Sequence, residues 1–205
     1  MPRCPLCSER AAKRFCPVVP GQICAVCCGK KREIEFDCPS SCSFLASARA
    51  YESERRPIDL ALLKRVESLS EEFIERQSPA LDALVISVMN ERQRYPELVD
   101  SDVIQALEGL GATLKTLESG IYYESLPETP IQISLFRSLR NTVEAILRPR
   151  FDQAATVRLS EVIQLIEFLI VAATANSSPR PKSRQYLDLL ASNIPSGRQG
   201  DHSRS

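Results

Sequence analysis

Eight cysteines lie within the first 42 residues, at Cys4, Cys7, Cys16, Cys24, Cys27, Cys28, Cys38 and Cys42, and the other 163 residues contain none. Their spacing is C-x2-C-x8-C-x7-C-x2-C-C-x9-C-x3-C. A thiolate is a soft ligand, and a C-x2-C pair on a tight turn offers two sulfurs to one ion. Eight thiols with such pairs provide two closed tetrahedral zinc sites. Cys4, Cys7, Cys24 and Cys27 are the natural first set. Cys16, Cys28, Cys38 and Cys42 remain for a second, interleaved with it. The only histidine, His202, lies near the end of the chain and is not needed.

Other cysteine chemistries fit less well. A disulfide framework needs an oxidising compartment, and no secretory signal is visible, since Cys4 and Cys7 sit where its apolar core would be. A redox C-x2-C motif belongs in a βαβ context that is absent. An iron–sulfur cluster would use four thiols and strand four. A catalytic zinc keeps a position open for water, which eight ligands for two ions do not leave. The expectation is therefore two structural zinc ions in a cytoplasmic protein.

Length and composition set the surroundings of these thiols. Among 205 residues 43% are apolar and 25% charged, and 26 basic side chains balance 26 acidic ones. No global charge argues for nucleic acid or membrane. Residues 1–42 carry seven basic and four acidic groups. Eight thiolates and two zinc ions would bring that +3 to about −1, so the basic excess offsets ligand charge. The apolar run 162–175 is broken by Gln164 and Glu167 and is short for a bilayer span. No membrane association is expected.

The module has little apolar material of its own: mainly Phe15, Val18, Val19, Ile23, Val26, Ile34 and Phe36. A unit this small needs staples, and metal supplies them. The alternation in residues 34–37 predicts a short strand running into Cys38. A helix is expected to start within residues 40–43 and to connect, over 43–56, to the remainder.

Helical periodicity fills the chain after Pro57. Leu62, Val66, Leu69 and Phe73 recur on one helical face. Ser78-Pro79 is a cap and first-turn pair for a second helix bearing Leu81, Leu84, Val85, Val88 and Met89. A third, capped by Asp100 or Ser101, carries Val103, Leu107, Leu110, Leu114 and Leu117, and Gly109 and Gly111 in its middle suggest close packing of another helix. Residues 121–130 read as a loop with two aromatics. A fourth helix carries Phe136, Leu139, Val143 and Ile146 and is closed by Pro149. The fifth, from Leu159 to Ala173, is apolar enough to be central to the bundle. Residues 176–181 read as a break before a short last helix with Tyr186, Leu187 and Leu190. The fold class expected is mainly α: a two-zinc module over 1–42, then an all-α domain of five or six helices over 57–194, and a disordered tail over 195–205.

The stretch Phe15-Cys16, then Gln22-Ile23-Cys24-Ala25-Val26-Cys27-Cys28, preceded by Cys4-x2-Cys7, resembles a B-box-type zinc finger. The resemblance covers residues 4–42. It implies two zinc ions in a cross-braced arrangement of short strands, loops and a helical turn, used for protein interaction or self-association. Cys4 and Cys7 match the family's first ligand pair, Cys16 its third ligand, and Cys24 and Cys27 its central pair. Val19 stands where the family usually has a further ligand, and Cys28 is expected to replace it. Cys38 and Cys42 stand, at wider spacing, for a closing pair that is usually histidine. Ubiquitin-ligase activity is not implied.

Remaining features are weaker. Tyr122 and Tyr123 read as loop anchors packing on helices more than as a binding groove. Lys30-Lys31-Arg32 reads as a solvated turn more than as a phosphate contact. No nucleophile–base pair, phosphate loop or isolated carboxylate pair is present. The sequence thus points to a zinc-binding, non-catalytic adaptor or regulator with a protein or self-association partner. The competitors are a nucleic-acid-binding regulator and, last, an enzyme in the helical domain.

Overall fold

A computed structural model describes residues 2–57, 59–67, 69–148 and 157–193. The expected disordered tail, His202 and the Pro149 stop lie outside the described residues. The fold is mainly helical: nine helices and one two-stranded sheet are present among the described residues. The N-terminal module holds β1 (Arg14–Phe15), β2 (Gln22–Ile23) and α1 (Ala25–Lys31). The strands pair antiparallel with Arg14 opposite Ile23 and Phe15 opposite Gln22. Gly21, at φ 97°, makes the turn between them, a conformation only glycine adopts without strain.

α2 (Ser43–Glu54) starts where the sequence places it. The predicted strand over 34–37 does not form. The N–H groups of Glu35 and Phe36 both return to the Lys31 carbonyl, so the chain folds back as a turn with an isolated bridge between Arg32 and Phe36. Glu33 takes a left-handed φ of 54° in that turn.

The first helix after Pro57 is divided into α3 (Leu60–Lys64) and α4 (Glu71–Arg76). Val66 and Leu69 bond back by only three residues, to the carbonyls of Leu63 and Val66. Ser70 then opens a new helix, its hydroxyl accepting from the Phe73 N–H. α5 (Ser78–Arg94), α6 (Asp100–Glu118), α7 (Pro130–Leu147), α8 (Leu159–Asn176) and α9 (Gln185–Asn193) follow, so seven helices, rather than five or six, lie beyond Pro57. Ser78 is a first-turn residue of α5 and not its cap. α7 has the reciprocal cap of Thr129 and Gln132, with Pro130 in the first turn.

α6 lies between α7 and α8, and α7 between α5 and α6. In that order α6 and α7 are the inner helices. The broad apolar surface of α8 is taken up by α6, α9 and α3 together. α8 is 18 residues, long and apolar enough to cross a membrane by length and composition, and Val162, Leu165, Ile166 and Ala173 are buried inside the protein. These side chains join Leu84, Val103, Leu107, Leu110, Leu135, Phe136 and Leu139 in one core. The cysteine module has a separate one, made of Cys4, Ala12, Cys16, Ile23, Cys24 and Cys27.

Asp100 does not cap its own helix. Its buried carboxylate accepts from the Ser183 hydroxyl at 2.8 Å and from the Tyr186 and Leu187 N–H groups at 3.2 and 3.1 Å. It thus caps the first turn of α9 from another helix. Burial still leaves its pKa raised, those hydrogen bonds working against it. Burial, with the Asp100 charge, also raises the Tyr186 hydroxyl.

The two mid-helix glycines of α6 differ. A Cβ at Gly109 would lie 2.5 Å from the Ser125 carbonyl oxygen, whereas one at Gly111 would meet Ile166 at 3.5 Å and Ile170 at 3.8 Å. Gly111 faces α8, whereas Gly109 faces Phe136 of α7 at 3.6 Å and also admits the backbone of the loop after α6. Gly109→Ala should lower unfolding stability by about 1–3 kcal/mol, since backbone must shift. Gly111→Ala should be neutral or stabilising by up to about 1 kcal/mol, through helix propensity. Urea denaturation of the two variants checks the contrast.

Candidate metal centre

The sulfurs of Cys4, Cys7, Cys24 and Cys27 all lie within 4.8 Å of one another. Local backbone brings them there. Cys4-Pro5-Leu6-Cys7 turns tightly: the Ser8 N–H donates to the Cys4 carbonyl at 2.8 Å, with Ser8 at φ 57°. A bridge between Arg3 and Ala11 closes this loop. The β1–β2 hairpin carries the chain back to Cys24, which caps α1, its sulfur accepting from the Cys27 N–H at 3.4 Å. Cys27 rides on the first turn of that helix.

The geometry suits a tetrahedral cation. With metal–sulfur bonds near 2.3 Å, sulfurs of a tetrahedral site stand about 3.8 Å apart. The Cys7 and Cys24 sulfurs are 4.0 Å apart. That is far beyond a disulfide bond of about 2.05 Å, and all eight cysteines are free.

The electrostatics agree. Burial works to raise the Cys4 thiol, but the N–H groups of Cys24, Leu6 and Cys7 and the Cys24 thiol donate to its sulfur and bring its pKa down to about 6. Cys7 is lowered by N–H groups of Arg10 and Glu9, against burial. Cys27 moves the opposite way, to about 12, because its thiol donates to the Cys24 sulfur, with burial and the sulfurs of Cys7 and Cys4 adding to the rise. Four negative sulfurs at this distance repel, and a proton on Cys27 relieves them. A divalent cation does so better.

The other four thiols are not gathered as closely: no second group of three or more such ligands lies within the same distance among the described residues. Cys38 is raised first by burial, against a hydrogen bond from the Glu33 backbone, and the charges of Cys42, Glu33 and Cys16 add to the rise. Cys28 packs against the first cluster's core.

Residues outside the cysteine pattern tie the module to the helices. Glu33 is almost fully buried and pairs with Arg49 of α2 at 2.6 Å. Arg49 also reaches Asp188 of α9 at 2.7 Å, where Arg92 at 2.5 Å and the Ser40 hydroxyl at 2.7 Å converge. Residues 179–184, at the expected break, lie across the module. The Arg180 guanidinium donates to the carbonyls of Gly29 and Arg32 and to Glu52. Cysteine spacing does not reveal this junction. Its only trace is the cationic run Arg180-Pro181-Lys182-Ser183-Arg184 set against Glu33, Glu35 and Asp37, and one sequence does not pair distant charges.

The weaker sequence features are also placed. Arg32 is buried, bound to the Phe44 carbonyl and to Glu52, while Lys31 pairs with Glu35, so residues 30–32 are not a free solvated turn. Tyr122 and Tyr123 do not pack on helices. They are 67% and 64% exposed, and the Tyr122 hydroxyl donates to Glu124. No family model, curated protein or solved structure matches the chain.

Burial tends to raise Asp188, but the donors from Ser40, Arg49 and Arg92 outweigh it and hold its pKa below the ordinary value. A depressed carboxylate contributes stability that is present above the unfolded pKa near 3.9 and is lost as pH falls through the lower folded value. Asp188→Asn should therefore cost about 1–3 kcal/mol at neutral pH. It should also flatten the acid limb below about pH 4, as read from unfolding midpoints across pH.

Proposed function

We propose that the chain is a zinc-binding, non-catalytic adaptor or regulator acting through protein–protein contacts, with the cysteine module as the rigid part of its binding surface. The supporting observation is the all-sulfur cluster of Cys4, Cys7, Cys24 and Cys27, with backbone N–H groups aimed at its sulfurs. Four thiolates around zinc form a closed site, which supplies folding energy rather than a reactive water. In this reading Cys16, Cys28, Cys38 and Cys42 close around a second zinc, giving two per chain in a B-box-like, cross-braced module.

The nucleic-acid reading is weaker. It relied on Lys30, Lys31 and Arg32, and two of these are engaged within the protein. Exposed apolar side chains on the module, such as Leu6, Phe15, Val18 and Val26, suit a protein partner instead.

Elemental analysis of reduced protein should find two zinc ions per chain. Cys28→Ser should lose one and Cys27→Ser should damage the first site; retention of both ions in Cys28→Ser would remove Cys28 from the ligand set. Capture from lysate with nuclease treatment tests the partner class. A protein or second copy of this chain should stay bound, whereas loss of all captured material with the nuclease would favour nucleic acid.

A further inference from the structure

The strap 179–184 is bound to the cysteine module as a short peptide binds a receptor. Gly29 and Arg32, at the end of α1, present carbonyl oxygens to Arg180 Nη1 at 3.2 and 2.9 Å. Arg180 Nη2 reaches Glu52 at 3.1 Å. The Lys182 backbone N–H donates to the Glu33 carbonyl at 2.9 Å and its ammonium to the Glu35 carbonyl at 2.7 Å. Arg184 pairs with Asp37. A helix end leaves carbonyls without partners, and cationic donors are the groups that satisfy them.

The strap brings no apolar anchor to this contact. Pro179 and Pro181 are exposed, and Ser178 and Ser183 are its buried members, Ser183 being held by Asp100 on the helical side. Proline fixes φ and donates no N–H, and the segment is bent into a turn closed by the Ser183 N–H on the Arg180 carbonyl at 3.0 Å, which turns its cations toward the module. Among the described residues, the hydrogen bonds and ion pairs it makes with this face run through Arg180, Lys182 or Arg184. Any other peptide with the same cations around proline can make the same contacts.

We propose that the face formed by residues 29–37 and Glu52 is a binding site for basic, proline-containing peptide segments, and that the chain's own residues 179–184 occupy it in cis. This rests on the adaptor reading above and names its partner class: a segment of the type Arg-Pro-Lys-x-Arg carried by another protein. Tethering places the strap at an effective concentration of about millimolar, so an outside segment competes poorly until the strap is displaced. The surface is therefore self-blocked.

The probe is a fluorescein-labelled peptide Ser-Pro-Arg-Pro-Lys-Ser-Arg, matching residues 178–184. The chain carrying Arg180→Ala and Lys182→Ala keeps Ser183, its bond to Asp100 and the Arg184–Asp37 pair, but takes the strap's side chains off the carbonyls of Gly29, Arg32 and Glu35 and off Glu52. It should bind the probe at least about tenfold tighter than the wild-type chain, the cis competitor being weakened. Binding should weaken with salt, and a probe with alanine at all three cations should not bind. Equal or undetectable binding by both chains overturns the proposal. Zinc is measured in the same samples: metal present without probe binding defeats this inference alone, and metal absent from both chains defeats the adaptor reading with it. Should the double variant fail to fold by circular dichroism, hydrogen exchange on the wild-type chain decides. Excess unlabelled peptide should speed exchange of the Lys182 amide, and unchanged exchange overturns the proposal.

Discussion

Four sulfurs brought to one point are the constraint on which the N-terminal part depends. The module's core consists mostly of the cysteines themselves, with Ala12 and Ile23. The two strands are two residues each and α1 is seven. Isolated helices below about 12 residues are marginal in water, and an isolated hairpin is no better. What holds Cys4 and Cys7 against Cys24 and Cys27 therefore determines whether the hairpin closes and where α1 points.

The consequence reaches the helical part through α1. Its first turn carries Cys27, and its last turn supplies the carbonyl groups that Arg180 holds. Just beyond it, the left-handed turn at Glu33 directs a buried carboxylate at Arg49. A carboxylate in that environment is tolerable only because the guanidinium stands against it. Asp188 extends the same network to α9 and α5. A helix positioned at one end by sulfur and at the other by arginine links the ligand cluster to the orientation of the strap.

The helices were legible where apolar period was the deciding signal. α5, α7 and α8 follow their stripes, and α2 begins where the last cysteine ends. The pattern from Leu62 to Phe73 misled because periodicity reports which face is apolar, not whether the backbone continues. Ser70 offered a local cap and the helix broke. Asp100 misled in the same way: as a cap residue it was recognised, but the helix it caps is α9. The first cysteine quartet was legible because two C-x2-C pairs leave few ways to assemble four ligands. The strap's contacts were not, because its arginines and the carboxylates they meet, Glu52 and Asp37, are separated by more than a hundred residues and no period relates them. Glu33 was equally hidden, since a buried, left-handed glutamate in a charged turn looks in sequence like any solvated acid.

The account turns on what fills the cluster of Cys4, Cys7, Cys24 and Cys27. X-ray absorption at the zinc edge of the purified, reduced chain measures that shell directly. It should show sulfur alone, four per zinc, at about 2.3 Å. Nitrogen or oxygen in the first shell, or a chain that folds the module with no metal at the edge, would contradict it.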